Sequence, residues 1–348
     1  MGNLTLKKNR YGLLSDGSKV HLYTVSNGRM SFSVSDYGCT ITSILLPSNN
    51  GKSVDVLLGY DSLDGYLTHD GCYGTIVGRF ANRIGNASFT LDGEKYSLDK
   101  NDGGNCLHGG FDRWERKVWK AKEVYTENGL GIEFTRLSPD GEQGMPGNVK
   151  ISVTYLLNDE NVLTLDYRAV TDKATPINMT NHSYFNLKGV YGGTVEDQIL
   201  RMDCDKYLEI DSGLIPTGRQ IDVEGTPFDF RKEKSIGQDL SKTNGGYDHC
   251  YCLANPSADG KLVKFAELKD PSSGRRMTVA TTQPGVQLYT ANTIKGIRGK
   301  DNIEFKNYGA VCIETQHYPD SPNKGDFPST ILRPGKEYHE VTQYSFEF

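Results

Sequence analysis

In Phe89-Thr90-Leu91-Asp92-Gly93-Glu94-Lys95-Tyr96-Ser97-Leu98, apolar and polar residues alternate on either side of an Asp-Gly pair. An Asp-Gly step supplies the positive φ angles of a type I′ turn, whose twist matches two antiparallel strands, so this stretch predicts a β-hairpin. The pattern repeats where Val149-Lys150-Ile151-Ser152-Val153-Thr154-Tyr155 and Val162-Leu163-Thr164-Leu165-Asp166-Tyr167 flank the polar turn Asn158-Asp159-Glu160-Asn161. Working outward, strand-type patterning predicts further strands at Phe32–Val34, Thr40–Leu46, Val54–Leu58, Val118–Tyr125, Ile132–Thr135, Met277–Thr281, Val286–Thr290, Val311–Thr315 and Val341–Phe348. Helical periodicity is almost absent, and 39 glycines and 13 prolines punctuate the short strands. The expected architecture is all-β and antiparallel, a sandwich or a barrel. Without a composition shift, a low-complexity linker or a 20–50-residue repeat, residues 1–348 read as a single domain.

The chain has 348 residues, 36% of them hydrophobic, and no apolar run approaches the length of roughly 18 residues that a membrane helix needs. A soluble globular protein is predicted. The formal charge is only −5 and the 39 basic residues are scattered, which argues against the counterion-release affinity of a nucleic-acid binder. The segment Met1-Gly2-Asn3-Leu4-Thr5-Leu6 has neither a signal-peptide apolar core nor the Ser or Thr of a myristoylation motif, so a cytoplasmic location without membrane attachment is expected. Seven cysteines, an odd number at irregular spacing, suggest reduced thiols rather than a disulfide framework. Cys250-Tyr251-Cys252 has the wrong spacing for a zinc knuckle and no His-Glu-x-x-His pair occurs, so neither metal nor cofactor is expected.

Six segments stand out by setting polar, often charged residues beside glycines and aromatics. Gly78-Arg79-Phe80-Ala81-Asn82-Arg83-Ile84 offers a guanidinium and a carboxamide for hydroxyl or carboxylate recognition. Asn105-Cys106-Leu107-His108-Gly109-Gly110 presents an imidazole beside paired glycines that let backbone approach a ligand. In Thr180-Asn181-His182-Ser183-Tyr184-Phe185-Asn186-Leu187 a histidine lies among hydrogen-bonding side chains able to fix its tautomer. Gly245-Gly246-Tyr247-Asp248-His249 places a carboxylate after a turn, and Gln283-Pro284-Gly285-Val286-Gln287 sets an amide within a strand. Glu314 interrupts the apolar run Val311-Cys312-Ile313 before Tyr318-Pro319, so it must face solvent or a polar cleft, a buried unpaired carboxylate being costly. With no nucleophile arrangement and no phosphate loop, this kit suits a neutral polyhydroxylated ligand and proton transfer.

These segments, in this order, resemble the galactose mutarotase (aldose 1-epimerase) family over nearly the whole chain, from Tyr37-Gly38-Cys39 to Glu314-Thr315-Gln316, with Leu214-Ile215-Pro216-Thr217-Gly218 and Gly225-Thr226-Pro227-Phe228-Asp229-Phe230-Arg231 between. The resemblance implies a large two-layered antiparallel β-sandwich, with Glu314 as catalytic base, His182 as catalytic acid, and Asn82, Arg83, His108, Asp248 and Gln287 holding the sugar. It also implies interconversion of the α and β anomers of free hexoses such as D-galactose and D-glucose, by a monomer or homodimer. Arg113 stands where relatives commonly have glycine, and Arg219 where an acidic residue is usual.

On this reading the starting state is Glu314 ionised and His182 protonated, with activity falling at low pH as Glu314 gains a proton and at high pH as His182 loses one. Three rivals predict different behaviour. A hexose-6-phosphate 1-epimerase needs extra cations, for which Arg113 is the candidate. A glycoside hydrolase would use Glu314 and Asp248 as a carboxylate pair. A non-catalytic carbohydrate-binding sandwich would rely on aromatic platforms drawn from two tryptophans and twenty tyrosines.

Overall fold

A computed structural model describes residues 3–48, 51–257 and 260–348, so Met1 and Gly2, which begin the segment read for targeting, lie outside the described residues. Among those residues the Asp-Gly hairpin forms as expected. Ser88–Leu91 pairs with Glu94–Ser97, and Asp92 and Gly93 take φ of 50° and 85°. Among the described residues one short α-helix, Leu63–Thr68, accompanies the strands, and no helix is long and apolar enough to cross a membrane.

Three larger sheets carry the architecture, and every strand pair in them is antiparallel. The first runs in chain order through Thr5–Leu13, Lys19–Ser26, Ser31–Ser35, Thr40–Pro47 and Ser53–Asp55. The largest has nine strands, ordered Lys120–Thr126, Gly129–Ser138, Val149–Leu157, Val162–Thr171, Glu337–Glu347, Arg276–Thr281, Val263–Lys269, Ile199–Met202 and Lys234–Ser235. The third is ordered Pro216–Asp222, Lys206–Ile210, Asp248–Cys252, Gly285–Tyr289 and Cys312–Gln316. One apolar cluster joins all three, with Phe32 and Val34 from the first, Phe134 and Leu165 from the second, and Val286, Leu288 and Ile313 from the third. Because successive strand residues point to opposite faces, each sheet commits alternate residues to this shared core, and the result is the expected β-sandwich.

Several strand boundaries differ from those predicted, as where Gly129–Ser138 extends past Ile132–Thr135 at both ends. The strand expected over Val54–Leu58 stops at Asp55, whose carboxylate accepts the backbone N–H groups of Ile44 and Leu57 at 3.1 Å each and so ends the ladder. The last strand begins earlier than Val341, at Glu337. Thr5–Leu13 escaped the pattern because most of its side chains are exposed and polar residues fill both of its faces.

The third sheet positions the polar residues. Tyr251, Val286, Leu288 and Ile313 face the core, which leaves Asp248, Cys250, Gln287, Tyr289, Cys312, Glu314 and Gln316 on the opposite face. Behind Glu314, Thr315 meets Thr342 of the nine-stranded sheet through a 2.6 Å hydroxyl pair, which pins this edge strand from the back.

Candidate active site

Sheet register brings together residues far apart in sequence. Cys250 pairs with Gln287, and Gln287 with Glu314, so one row of the third sheet crosses three strands. Asp248 lies opposite Tyr289 in the next row and accepts a 2.6 Å hydrogen bond from the Gln287 amide. Asp248, expected after a turn, is the first residue of a strand.

His182 reaches the same face from a separate ladder. Thr180–Asn181 pairs with Ile76–Val77, the His182 N–H donates to Thr75 O at 3.0 Å, and the Gly74 N–H donates to His182 O at 2.8 Å. Its Nε2 lies 3.6 Å from Glu314 Oε1, with the two residues 6% and 2% exposed. The expectation that neighbouring polar side chains fix the His182 tautomer is corrected. Asn181 donates to Gly74 O, Ser183 bonds Asn181, and His182 Nδ1 has no protein partner among the described residues. Alternation turns positions 181 and 183 away from the ring, which is held instead by stacking on Tyr184 at 4.9 Å and by the edges of His108 and Tyr289.

The third wall comes from Arg83–Ile84 paired with Cys106–Leu107. Asn82 and His108, at φ of 64° and 54°, flank that pair and bond each other, the Asn82 N–H donating to His108 Nδ1 at 3.1 Å and the His108 N–H to Asn82 O at 3.2 Å. With Nδ1 accepting, the neutral His108 ring carries its proton on Nε2 and is a donor. The Arg83 Nε donates to Asp102 at 2.8 Å. Arg79, of the same segment, does not join the site: it is fully buried, and its guanidinium donates to the carbonyls of Pro146, Gly147 and Pro139 and the hydroxyl of Ser138.

Burial shifts the titrating groups of the site. It lowers His182 to about 4 and, with the nearby Asp248 charge, raises Glu314 well above the usual carboxylate range, while Arg83 opposes that rise. Burial thus works against the charged pair expected from the sequence and toward the neutral arrangement with the proton on Glu314. Burial also raises Asp248, and burial together with the charges of Arg83 and Arg113 lowers His108 well below the ordinary imidazole range. Arg113 is already compensated, 2.7 Å from Asp70 and 3.1 Å from Glu115, and Arg219 pairs with Glu209 at 3.3 Å. Tyr184 and Tyr289 lie outside the seven predicted site residues, although each stands two residues from one of them, the spacing that shares a strand face. An open groove of about 830 Å³ lies elsewhere, against Glu133, Lys150 and Arg168 of the nine-stranded sheet, and holds none of these groups.

All seven predicted site residues thus line one polar surface, with the imidazole and carboxyl of His182 and Glu314 face to face. The family model for aldose 1-epimerase matches residues 21–345. The chain belongs to the aldose 1-epimerase family. It is 42% identical to the galactose mutarotase of Mus musculus, with 96% of each chain covered, and 35% identical to the aldose 1-epimerase of Escherichia coli K12, over 96% of this chain and 97% of the relative. A crystal structure of galactose 1-epimerase from Lactobacillus acidophilus superposes with a TM-score of 0.86 at 30% identity, covering 99% of both chains. As an aldose 1-epimerase, the chain is an isomerase acting on carbohydrates.

Proposed function

We propose that this aldose 1-epimerase interconverts the α and β anomers of free hexoses such as D-galactose and D-glucose, with Glu314 and His182 as its proton-transfer pair. Anomerisation requires the C1 hydroxyl to lose a proton, the ring oxygen to gain one and the bond between C1 and the ring oxygen to break. Either transfer alone leaves a charged sugar, so paired groups are needed, each worth on the order of 10²–10⁴ in rate. With the closed ring bound, ionised Glu314 takes the C1 hydroxyl proton and protonated His182 gives one to the ring oxygen. The aldehyde then stands beside a neutral pair, the state that burial favours, so the same desolvation that perturbs both groups assists ring opening. Rotation about C1–C2 turns the other carbonyl face, and reversal of both transfers closes the ring.

The observation that carries this reading is the 3.6 Å gap between His182 Nε2 and Glu314 Oε1 within a buried polar surface. His108 Nε2–H, Arg83, Asn82, Asp248 and Gln287 supply donors and acceptors for ring hydroxyls, which keeps the reacting oxygens aligned. Arg113 is neutralised by two carboxylates, which favours a free sugar over its phosphate. The enzyme acts as a single domain over residues 1–348, in the cytoplasm, as a monomer or homodimer.

Polarimetry on freshly dissolved α-D-galactose and α-D-glucose, with and without protein, is the test. Accelerated relaxation of optical rotation is expected for both sugars. Relaxation at the spontaneous rate with either sugar, or turnover restricted to phosphorylated sugar, overturns the proposal.

A further inference from the structure

We propose that the site also forms a zinc-class metal site from His182 Nε2, a Glu314 carboxylate oxygen and Cys312 Sγ, and that metal bound there switches the epimerase off. These three donors lie within 4.8 Å of one another, all in buried residues. The 3.6 Å between His182 Nε2 and Glu314 Oε1 is too long for a hydrogen bond. It is close to the edge of about 3.3–3.5 Å between two ligands on a tetrahedral Zn²⁺ with bonds near 2.0–2.2 Å. Register supplies the third donor: Cys312 precedes Glu314 by two residues on one strand, so both project from the same face. A second oxygen is available, since Glu314 Oε2 has no hydrogen-bond partner among the described residues.

Nitrogen, thiolate and carboxylate donors together select zinc-class cations over Mg²⁺ or Ca²⁺, which prefer all-oxygen sites. Three protein ligands leave a fourth position for water. On binding, the Cys312 thiol and the Glu314 carboxyl each give their proton to solvent. The lone pair of His182 and the charge of Glu314 are then committed to the metal, and neither can move a proton of the sugar. Metal and sugar therefore exclude each other. Cys312 itself plays no part in proton transfer, so it separates the two functions. The regulatory claim rests on the catalytic assignment of Glu314 and His182, whereas the metal site does not.

The test uses the chelator-treated full chain, Zn²⁺ for inhibition and Co²⁺ as a spectroscopic stand-in. Zn²⁺ is expected to slow the polarimetric relaxation of α-D-glucose, and added sugar to raise the half-inhibiting concentration. Cys312→Ser should keep metal-free turnover and need at least about tenfold more Zn²⁺, since even an outer partner of a ligand is worth about that much affinity. Co²⁺ should give a thiolate charge-transfer band in the native chain that Cys312→Ser and, independently, His182→Asn abolish. Equal inhibition of the native chain and Cys312→Ser, inhibition indifferent to sugar, or absence of the band overturns the proposal. If Cys312→Ser does not fold, the band in His182→Asn decides: its persistence overturns the site. A chain that never accelerates anomerisation, yet shows a band dependent on Cys312, would retain the metal site and reject the catalytic reading and the switch.

Discussion

Glu314 and His182 form a unit whose two neutral and charged arrangements hold the same number of protons and differ only in where one proton sits. Such a pair titrates in macroscopic steps that belong to both residues. As pH falls, a second proton is added where burial has lowered His182, to about 4; as pH rises, the shared proton is lost only at the raised position of Glu314. Activity requires the singly protonated pair. The expected kcat/KM profile is therefore flat through the ordinary histidine range near 6.5, with its acid limb near 4. A half-maximal point near 6.5 would instead mean a solvated imidazole. Replacing Glu314 with Gln, or His182 with Asn, removes one partner of the double transfer. Each is expected to lower kcat by about 10²–10⁴ with an unchanged circular dichroism spectrum. Gln287→Ala leaves the pair intact but frees Asp248 from its 2.6 Å donor, so KM should rise more than kcat falls.

At the scale of the element, the site is a product of strand alternation and of one close backbone approach. Gly74, at φ 75°, donates to His182 O, and a Cβ there would lie 2.0 Å from Ile41 O. Gly74→Ala must push two ladders apart, and its effect should reach the imidazole: loss of both thermal stability and turnover is expected, by calorimetry and polarimetry on one sample. Gly93 is the contrasting case. At φ 85° with nothing within 4 Å of a Cβ, Gly93→Ala meets only backbone strain, so about 1 kcal/mol of stability should be lost with activity unchanged. The two substitutions distinguish a glycine needed for space from one needed for conformation.

At the scale of the molecule, Arg79 joins the segment that carries Asn82 and Arg83 to the 138–147 connection leaving the nine-stranded sheet. It is fully buried and bonded to carbonyls and hydroxyls rather than to a carboxylate, and Glu142 lies close enough to favour its charge. Arg79→Met leaves those carbonyls unsatisfied in the interior. A loss of roughly 3 kcal/mol or more in denaturant unfolding is expected, each orphaned group costing about 1–3 kcal/mol. Activity should fall with it, because the Asn82–His108 pair depends on the same segment. Retention of full stability would show that the guanidinium is dispensable to the sandwich.

The amino-acid sequence by itself determined the class of fold, because strand alternation and an Asp-Gly turn are local signals written in consecutive residues. It also determined which polar residues to suspect, since Glu314 within an apolar run and His182, His108 and Arg83 beside glycines and amides are anomalies of neighbourhood. Only the tertiary structure decided which arginine of the Gly78–Ile84 segment faces the site, because Arg79 and Arg83 differ in the partners that long-range folding brings to them. It alone decided how deeply the acid-base pair is buried, since other strands exclude water from both groups. The convergence of Cys312, Glu314 and His182 likewise follows from sheet register, a relation between distant strands that no run of adjacent residues encodes.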